Sequence, residues 1–221
     1  MTLSFEQESE VGAVGIDVVS ISDEGADPQE VWGRYFAATD QRPVHPIFDS
    51  LEVFLPGSGS AIDLGCGAGR GTLWLLERGF HVVAVDVSEE GLGYLRKKLP
   101  DGADVEVVCS GFGDLELGSY DVAVACFSLF FLSPEEFGKF WPRVAAAIKP
   151  KGLFAGQFLG VNDSWKDRGF TIHDRGGVER LLEGFKVLRL EEEDRDGETA
   201  VGDQKHWHVF HVIARKGPPA E

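Results

Sequence analysis

Ala61-Ile62-Asp63-Leu64-Gly65-Cys66-Gly67-Ala68-Gly69-Arg70-Gly71-Thr72 decides the fold. Four residues suited to a short buried strand run into three alternating glycines, and a helical pattern follows from Gly71 to Arg78. Glycine at that junction lets the backbone approach a ligand closely where side chains would obstruct it. A β-branched strand, His81 to Asp86, comes next and ends in an acid. The spacing also separates cofactor classes. A dinucleotide GxGxxG begun at Gly65 requires glycine where Arg70 stands, and begun at Gly67 it requires glycine where Thr72 stands. The nicotinamide reading fails in both registers, whereas GxGxG followed by Asp86 suits a small cationic nucleoside whose ribose hydroxyls the carboxylate can bind.

Outward from this stretch the alternation repeats. The pattern predicts a helix over 88–98, strands at 105–108 and 120–126, a helix over 134–148 and a strand at 153–158, with Lys149-Pro150-Lys151-Gly152 as the intervening turn. A helix near 177–182, a strand at 186–190 and an alternating strand at 206–214 close the chain. Strands alternating with helices imply a doubly wound, mostly parallel α/β sheet, here expected to have seven strands with the last antiparallel. Before the glycine loop, Asp27-Pro28-Gln29-Glu30 signals a helix start, with a helix expected from Pro28 to Thr39 and a second one after Pro46.

With 21 basic and 37 acidic residues, the formal net charge is −16, which weighs against nonspecific binding to nucleic acid or anionic membranes. Half of it lies before Arg34, where eight acids precede the first basic residue. The expected organisation is an acidic, mobile tail over 1–26, a single domain with an N-terminal helical cap over 27–216, and a short tail over 217–221. A second acidic run, Glu191-Glu192-Glu193-Asp194, reads as a solvated edge or loop. No apolar run approaches the ~20 residues of a membrane span and no basic n-region opens the chain, so a cytoplasmic location is expected. Three widely spaced cysteines, Cys66, Cys109 and Cys126, suggest neither a disulfide framework nor a metal site.

The segment from Ala61 to Thr72, with Val85-Asp86-Val87-Ser88, the strand Tyr120 to Cys126 and the Lys149 to Gly152 turn, resembles class I S-adenosylmethionine-dependent methyltransferases. The resemblance extends in order over about residues 28–216. Within that superfamily the chain is similar to small bacterial methyltransferases of the tellurite-resistance type. Trp32-x-x-Tyr35 with Arg42, Phe154 to Phe158 with Asn162 to Trp165, and Lys205 to His211 carry that second likeness. The resemblance implies a Rossmann-like fold and S-adenosylmethionine as cofactor. It places Gly65 and Gly67 against the methionine part, Asp86 on the ribose, Cys126 and Phe127 as backbone after the fourth strand, and Arg70 towards the carboxylate. Asp63, Cys66 and Val87 fall within the same segments. Where many relatives carry an acid for the adenine amine this chain has Gly111, so Phe112, or Asp114 in its place, is expected there.

The implied reaction is methyl transfer to a small-molecule acceptor, anionic or thiol- or chalcogen-containing. Protein or RNA methylation and a non-catalytic cofactor-binding regulator are the alternatives. His206 and His208 share a strand face and could be a base with its partner, two metal ligands for which no third ligand has recognisable spacing, or partly buried structural histidines. Tyr35, Arg42 and His45 lie in the helical cap, where Arg42 could bind an anionic acceptor or sit on the surface. Phe127, Phe130, Phe131 and Trp165 could line the acceptor opening or simply pack.

Overall fold

A computed structural model describes residues 28–218; the acidic tail and the Asp27 cap expected from the sequence lie outside them. Helices α1 (Pro28–Thr39) and α2 (Ile47–Glu52) precede the alternating unit of β1 (Gly59–Leu64), α3 (Arg70–Glu77), β2 (Phe80–Asp86), α4 (Glu89–Lys98), β3 (Val105–Cys109) and β4 (Tyr120–Ala125). After a 3-10 turn at Leu129–Phe131 come α5 (Pro134–Ala147), β5 (Ile148–Gly160), β6 (Ile172–His173), α6 (Arg175–Leu181), β7 (Phe185–Glu198) and β8 (Gln204–Lys216).

Strand order is β3-β2-β1-β4-β5-β8-β7, with the two-residue β6 added to the end of β5. Strands β1 to β6 pair in parallel, and β8 runs antiparallel to both β5 and β7. The doubly wound α/β expectation therefore holds, with β6 as an eighth strand too short to show in a periodicity. On one face α2 and α3 cover Ala61, Val82, Val122 and Ile213; on the other α5 and α6 cover Ile62, Ala123, Phe154, Phe158 and Phe210.

Local chemistry sets the boundaries. Ser88 caps α4 by accepting from the Gly91 amide, and Ser133 and Glu136 form a reciprocal capping box before Pro134 opens α5. The expected Lys149–Gly152 turn is a bulge inside β5: Tyr120 faces Ile148 and Val122 faces Leu153, so the extra residues loop out through Lys151 at φ 68°.

The acidic run is neither a loop nor the end of a short strand. Residues 191–194 continue β7 along the sheet edge, where charged side chains discourage a further strand from pairing. Before Val209, residues 204–208 of β8 pair only with β7, so the hairpin extends past β5 as a two-stranded arm.

Candidate active site

The chain reverses direction across the sheet between β1 and β4, and ligands of open α/β sheets bind outside the carboxyl ends of strands at such a point. A cavity of about 1280 Å³ opens there. Its floor is the glycine loop, one wall is α1, and the opposite wall is the β7–β8 arm with the loop carrying Trp165. That volume exceeds the range of roughly 300–1,000 Å³ usual for one small ligand, which leaves room for a cofactor and an acceptor together.

The loop is shaped by residues that only glycine can replace. Gly65, Gly67 and Gly69 have φ of 74°, 53° and 85°. A Cβ on Gly65 would overlap the Ser128 side chain, and one on Gly67 would stand 3.2 Å from the Phe36 ring. Amides of Gly65 and Cys66 both donate to Val85 O, at 2.8 and 2.9 Å, which ties the loop to the end of β2.

Asp86 sits at that end. Its Oδ2 accepts from Gly67 N and its Oδ1 from Ser88 N, each at 2.8 Å. Burial raises its pKa, and the amides of Ser88, Gly67 and Val87 oppose the rise by stabilising the carboxylate. Each oxygen retains acceptor capacity, so the carboxylate can still receive the two hydroxyls of a ribose.

Asp63 is buried below the loop, outside the main cavity. Its Oδ2 accepts from the Thr72 hydroxyl at 2.8 Å, and burial pushes its pKa up to about 6 against that hydrogen bond. It holds the first turn of α3 against β1. Cys66 likewise turns away, packing with Ala84, Leu92 and Leu95.

The other expected cofactor residues do line the cavity: Gly65, Gly67, Arg70, Val87, Phe112, Cys126 and Phe127. Asp114 is exposed and does not reach it, whereas Ser110 and Phe112 do. Burial lifts the Cys126 thiol to about 12, so it stays protonated and is no nucleophile. Phe127 holds a left-handed backbone at φ 55°, and its amide donates to Gln157 Oε1 at 3.0 Å. Such a conformation costs roughly 1–2 kcal/mol outside glycine, and the buried Gln157 amide offsets part of it.

Tyr35 and Arg42 line the cavity from the cap. Burial, the dominant influence, raises the Tyr35 pKa. Arg42 Nη2 donates to Ala200 O at 2.9 Å, joining the cap to the tip of the β7–β8 arm. Arg70 Nη1 donates to Pro43 O at 3.0 Å and fastens the same segment to the glycine loop.

His206 and His208 do not face the cavity. They share a sheet face with Phe210, which packs towards α5. The His206 ring lies 2.7 Å from both Asp196 and Asp194, and these two carboxylates raise its pKa. His208 is buried, accepting from Asn162 N at 3.0 Å with Glu192 at 3.0 Å on its other nitrogen. Both imidazoles clip the arm together. Trp207, Val209 and His211 alternate onto the cavity side instead, joined there by His45. Strand alternation separates His206 and His208 from Trp207 and His211, and only the packing decides which face meets the cavity.

A glycine cradle, an acid after β2 and a cavity at the β1/β4 switch point form the kind of site at which open α/β sheets bind nucleotide-containing ligands. Residues 61–152 match the family model of a methyltransferase domain, the segment that carries the cradle and Asp86. Over 96 residues the chain is 41% identical to the cypemycin N-terminal methyltransferase of a Streptomyces species, covering 42% of this chain and 39% of that one. Over 144 residues it is 26% identical to the putative methyltransferase YqeM of Bacillus subtilis, covering 62% and 57%. The chain thus spans about two-fifths to just under three-fifths of these relatives.

The fold is similar to TehB from Haemophilus influenzae, with a TM-score of 0.66 at 16% identity over 82% of this chain and 65% of that one. It is also similar to 1,6-didemethyltoxoflavin-N1-methyltransferase of Burkholderia thailandensis, with a TM-score of 0.64 at 21% identity over 89% and 93%. No helix among the described residues is long and apolar enough to cross a membrane.

Proposed function

We propose that this protein transfers the methyl group of S-adenosylmethionine to a small-molecule acceptor bound in the cavity beside the glycine loop. The observation that carries the reading is the cavity itself, which begins at a glycine cradle with Asp86 beside it and continues past Phe127 into an aromatic-walled chamber. Gly65 and Gly67 would admit the cofactor's methionine part, Asp86 would take its ribose hydroxyls, and Val87 and Phe112 would flank the adenine. When bound, the cofactor supplies an activated methyl on a sulfonium and the leaving group. This chain's residues bind, orient and exclude water.

Arg42 and Arg70 on the cavity wall suit an acceptor that is, or becomes, anionic. A second reading, methylation of a peptide amino terminus, is favoured by the name of the relative that is 41% identical.

Isothermal calorimetry tests the cofactor half. The wild-type protein should bind S-adenosylmethionine and S-adenosylhomocysteine, and Asp86→Asn should weaken both at least tenfold. No binding by the folded protein, or full affinity in the variant, would sink the reading.

A further inference from the structure

Two imidazoles from distant parts of the chain meet in the cavity wall. His45, in the segment entering α2, and His211, on β8, stack with ring centroids 5.5 Å apart and planes 12° from parallel. The Phe127 ring stands edge-on to both, at 5.4 and 6.4 Å, which places the pair beside the end of β4 where the cofactor cradle ends.

Hydrogen bonds set the protons. His45 Nδ1 accepts from Ile47 N at 3.1 Å, so its proton is on Nε2. His211 Nε2 lies 3.4 Å from Glu193 Oε2 across the β7–β8 ladder, which favours the proton on that nitrogen and leaves Nδ1 with a free lone pair. Burial, the leading cause for each, holds both imidazoles below their ordinary pKa, with His45 at about 4. The charged and titratable groups around His211 are Glu191, Glu193 and Arg189 on β7 and the stacked His45, with Arg70 beyond it; Arg195 pairs with Glu193 Oε1 at 2.9 Å, and Gln157 from β5 is neutral.

The rest of the chamber is aromatic, its rings inclined to one another at 38° to 83°. Trp165 and Trp207 rings lie 5.5 Å apart, Phe127 is 5.7 Å from Trp207, and Phe131 is 6.3 Å from Trp165. Trp32, also in the wall, has a buried indole Nε1 without a hydrogen-bond partner. Alkyl thiols and tellurite carry no ring for these walls to pack against, and a thiol, which ionises at about pH 8.5, needs less help from a base than a phenol or a ring N–H.

Resting on the methyl-transfer reading, we propose that His211, oriented by Glu193, is the general base and that the acceptor is a planar aromatic compound bearing an O–H or N–H at the methylated atom. The acceptor's lone pair forms the new bond to the methyl carbon as the carbon–sulfur bond breaks, its electron pair staying on sulfur. The acceptor's proton passes to His211 Nδ1 and then to solvent. Positioned bases of this kind contribute roughly 10²–10⁴-fold.

The test follows S-adenosylhomocysteine release with a panel of phenols, hydroxyquinolines and N–H pteridines, set against a glycyl peptide, thiols and tellurite. Turnover is expected with aromatic O–H or N–H compounds. His211→Asn should lower kcat about 100-fold with KM little changed. Glu193→Gln should lower it about tenfold and move the acid limb of the pH profile to lower pH, a shift that a merely structural role would not cause. The proposal is overturned by turnover of thiol, tellurite or peptide alone, by silence across the panel, or by loss in His206→Asn with His211→Asn unaffected. Calorimetry on the same samples separates the two levels: failure of the wild type to bind S-adenosylmethionine removes the methyl-transfer reading, whereas retained binding with any of those outcomes removes only the base and its acceptor.

Discussion

Replacing Lys205 by methionine takes one charge from a buried pair and leaves the other in place. The side chains of Lys205 and Asp163 are 1% and 0% exposed and form an ion pair. Asp163 also accepts from Trp165 N at 2.9 Å and from His208 N at 3.1 Å, and the Lys205 ammonium sits 4.2 Å from the ring centroids of both Trp165 and Trp207. Removing one partner of a buried pair costs ~3–5 kcal/mol, and the two amides that remain on Asp163 place this case near the lower end. Withdrawing the cation from between two indoles adds about 1 kcal/mol, while methionine keeps most of the stem's packing. The expected loss is therefore about 4 kcal/mol. Equilibrium urea denaturation at pH 7, followed by far-UV circular dichroism, measures it. The double variant with Asp163→Asn should cost less than the sum of the single ones by about 2 kcal/mol. A loss under about 1 kcal/mol, or strict additivity, would refute the claim that this pair holds the arm's aromatic wall.

Further outcomes follow from the cradle and the buried acids. Gly65→Ala places a Cβ at φ 74° inside the Ser128 side chain, so S-adenosylmethionine affinity should fall at least tenfold by calorimetry, and an unchanged affinity would discount the cradle. The folded-state pKa of Asp63 is raised from 3.8 to about 6, so its burial costs stability on the order of 3 kcal/mol once pH exceeds 6. Asp63→Asn should therefore flatten the stability–pH curve between about 4 and 6, and an unaltered slope would count against the buried charge. His45 works in the opposite sense: with a folded pKa of about 4 against 6.5, its contribution is full above 6.5 and lost as pH falls to 4. Its imidazole resonances should titrate near pH 4 by NMR, and a midpoint near 6.5 would contradict its buried setting.

The fold was legible because its signals are local. Alternating strand and helix periodicities, the glycine spacing and caps such as Ser88 and Ser133 each depend on a few neighbouring residues. Asp86, Gly65 and Gly67 were legible for the same reason, since a strand-end acid and a glycine junction share one βαβ unit. The acidic run was legible as a solvated edge but not as strand, because an edge strand is solvated on its outer side while still making a full ladder inward. Strand β6 has only two residues and no periodicity to read.

By itself the sequence determined the class of fold, the cofactor-sized loop and the acid beside it, all properties of short contiguous segments. Tertiary structure alone decided which imidazole meets the cavity. His206, His208 and His211 lie within six residues on one strand, and period-two alternation separates their faces without saying which is inward. That choice depends on β8 pairing between β5 and β7 and on the cap bringing His45 to His211. Pairing across more than 160 residues is a property of the packed whole, and no local pattern encodes it.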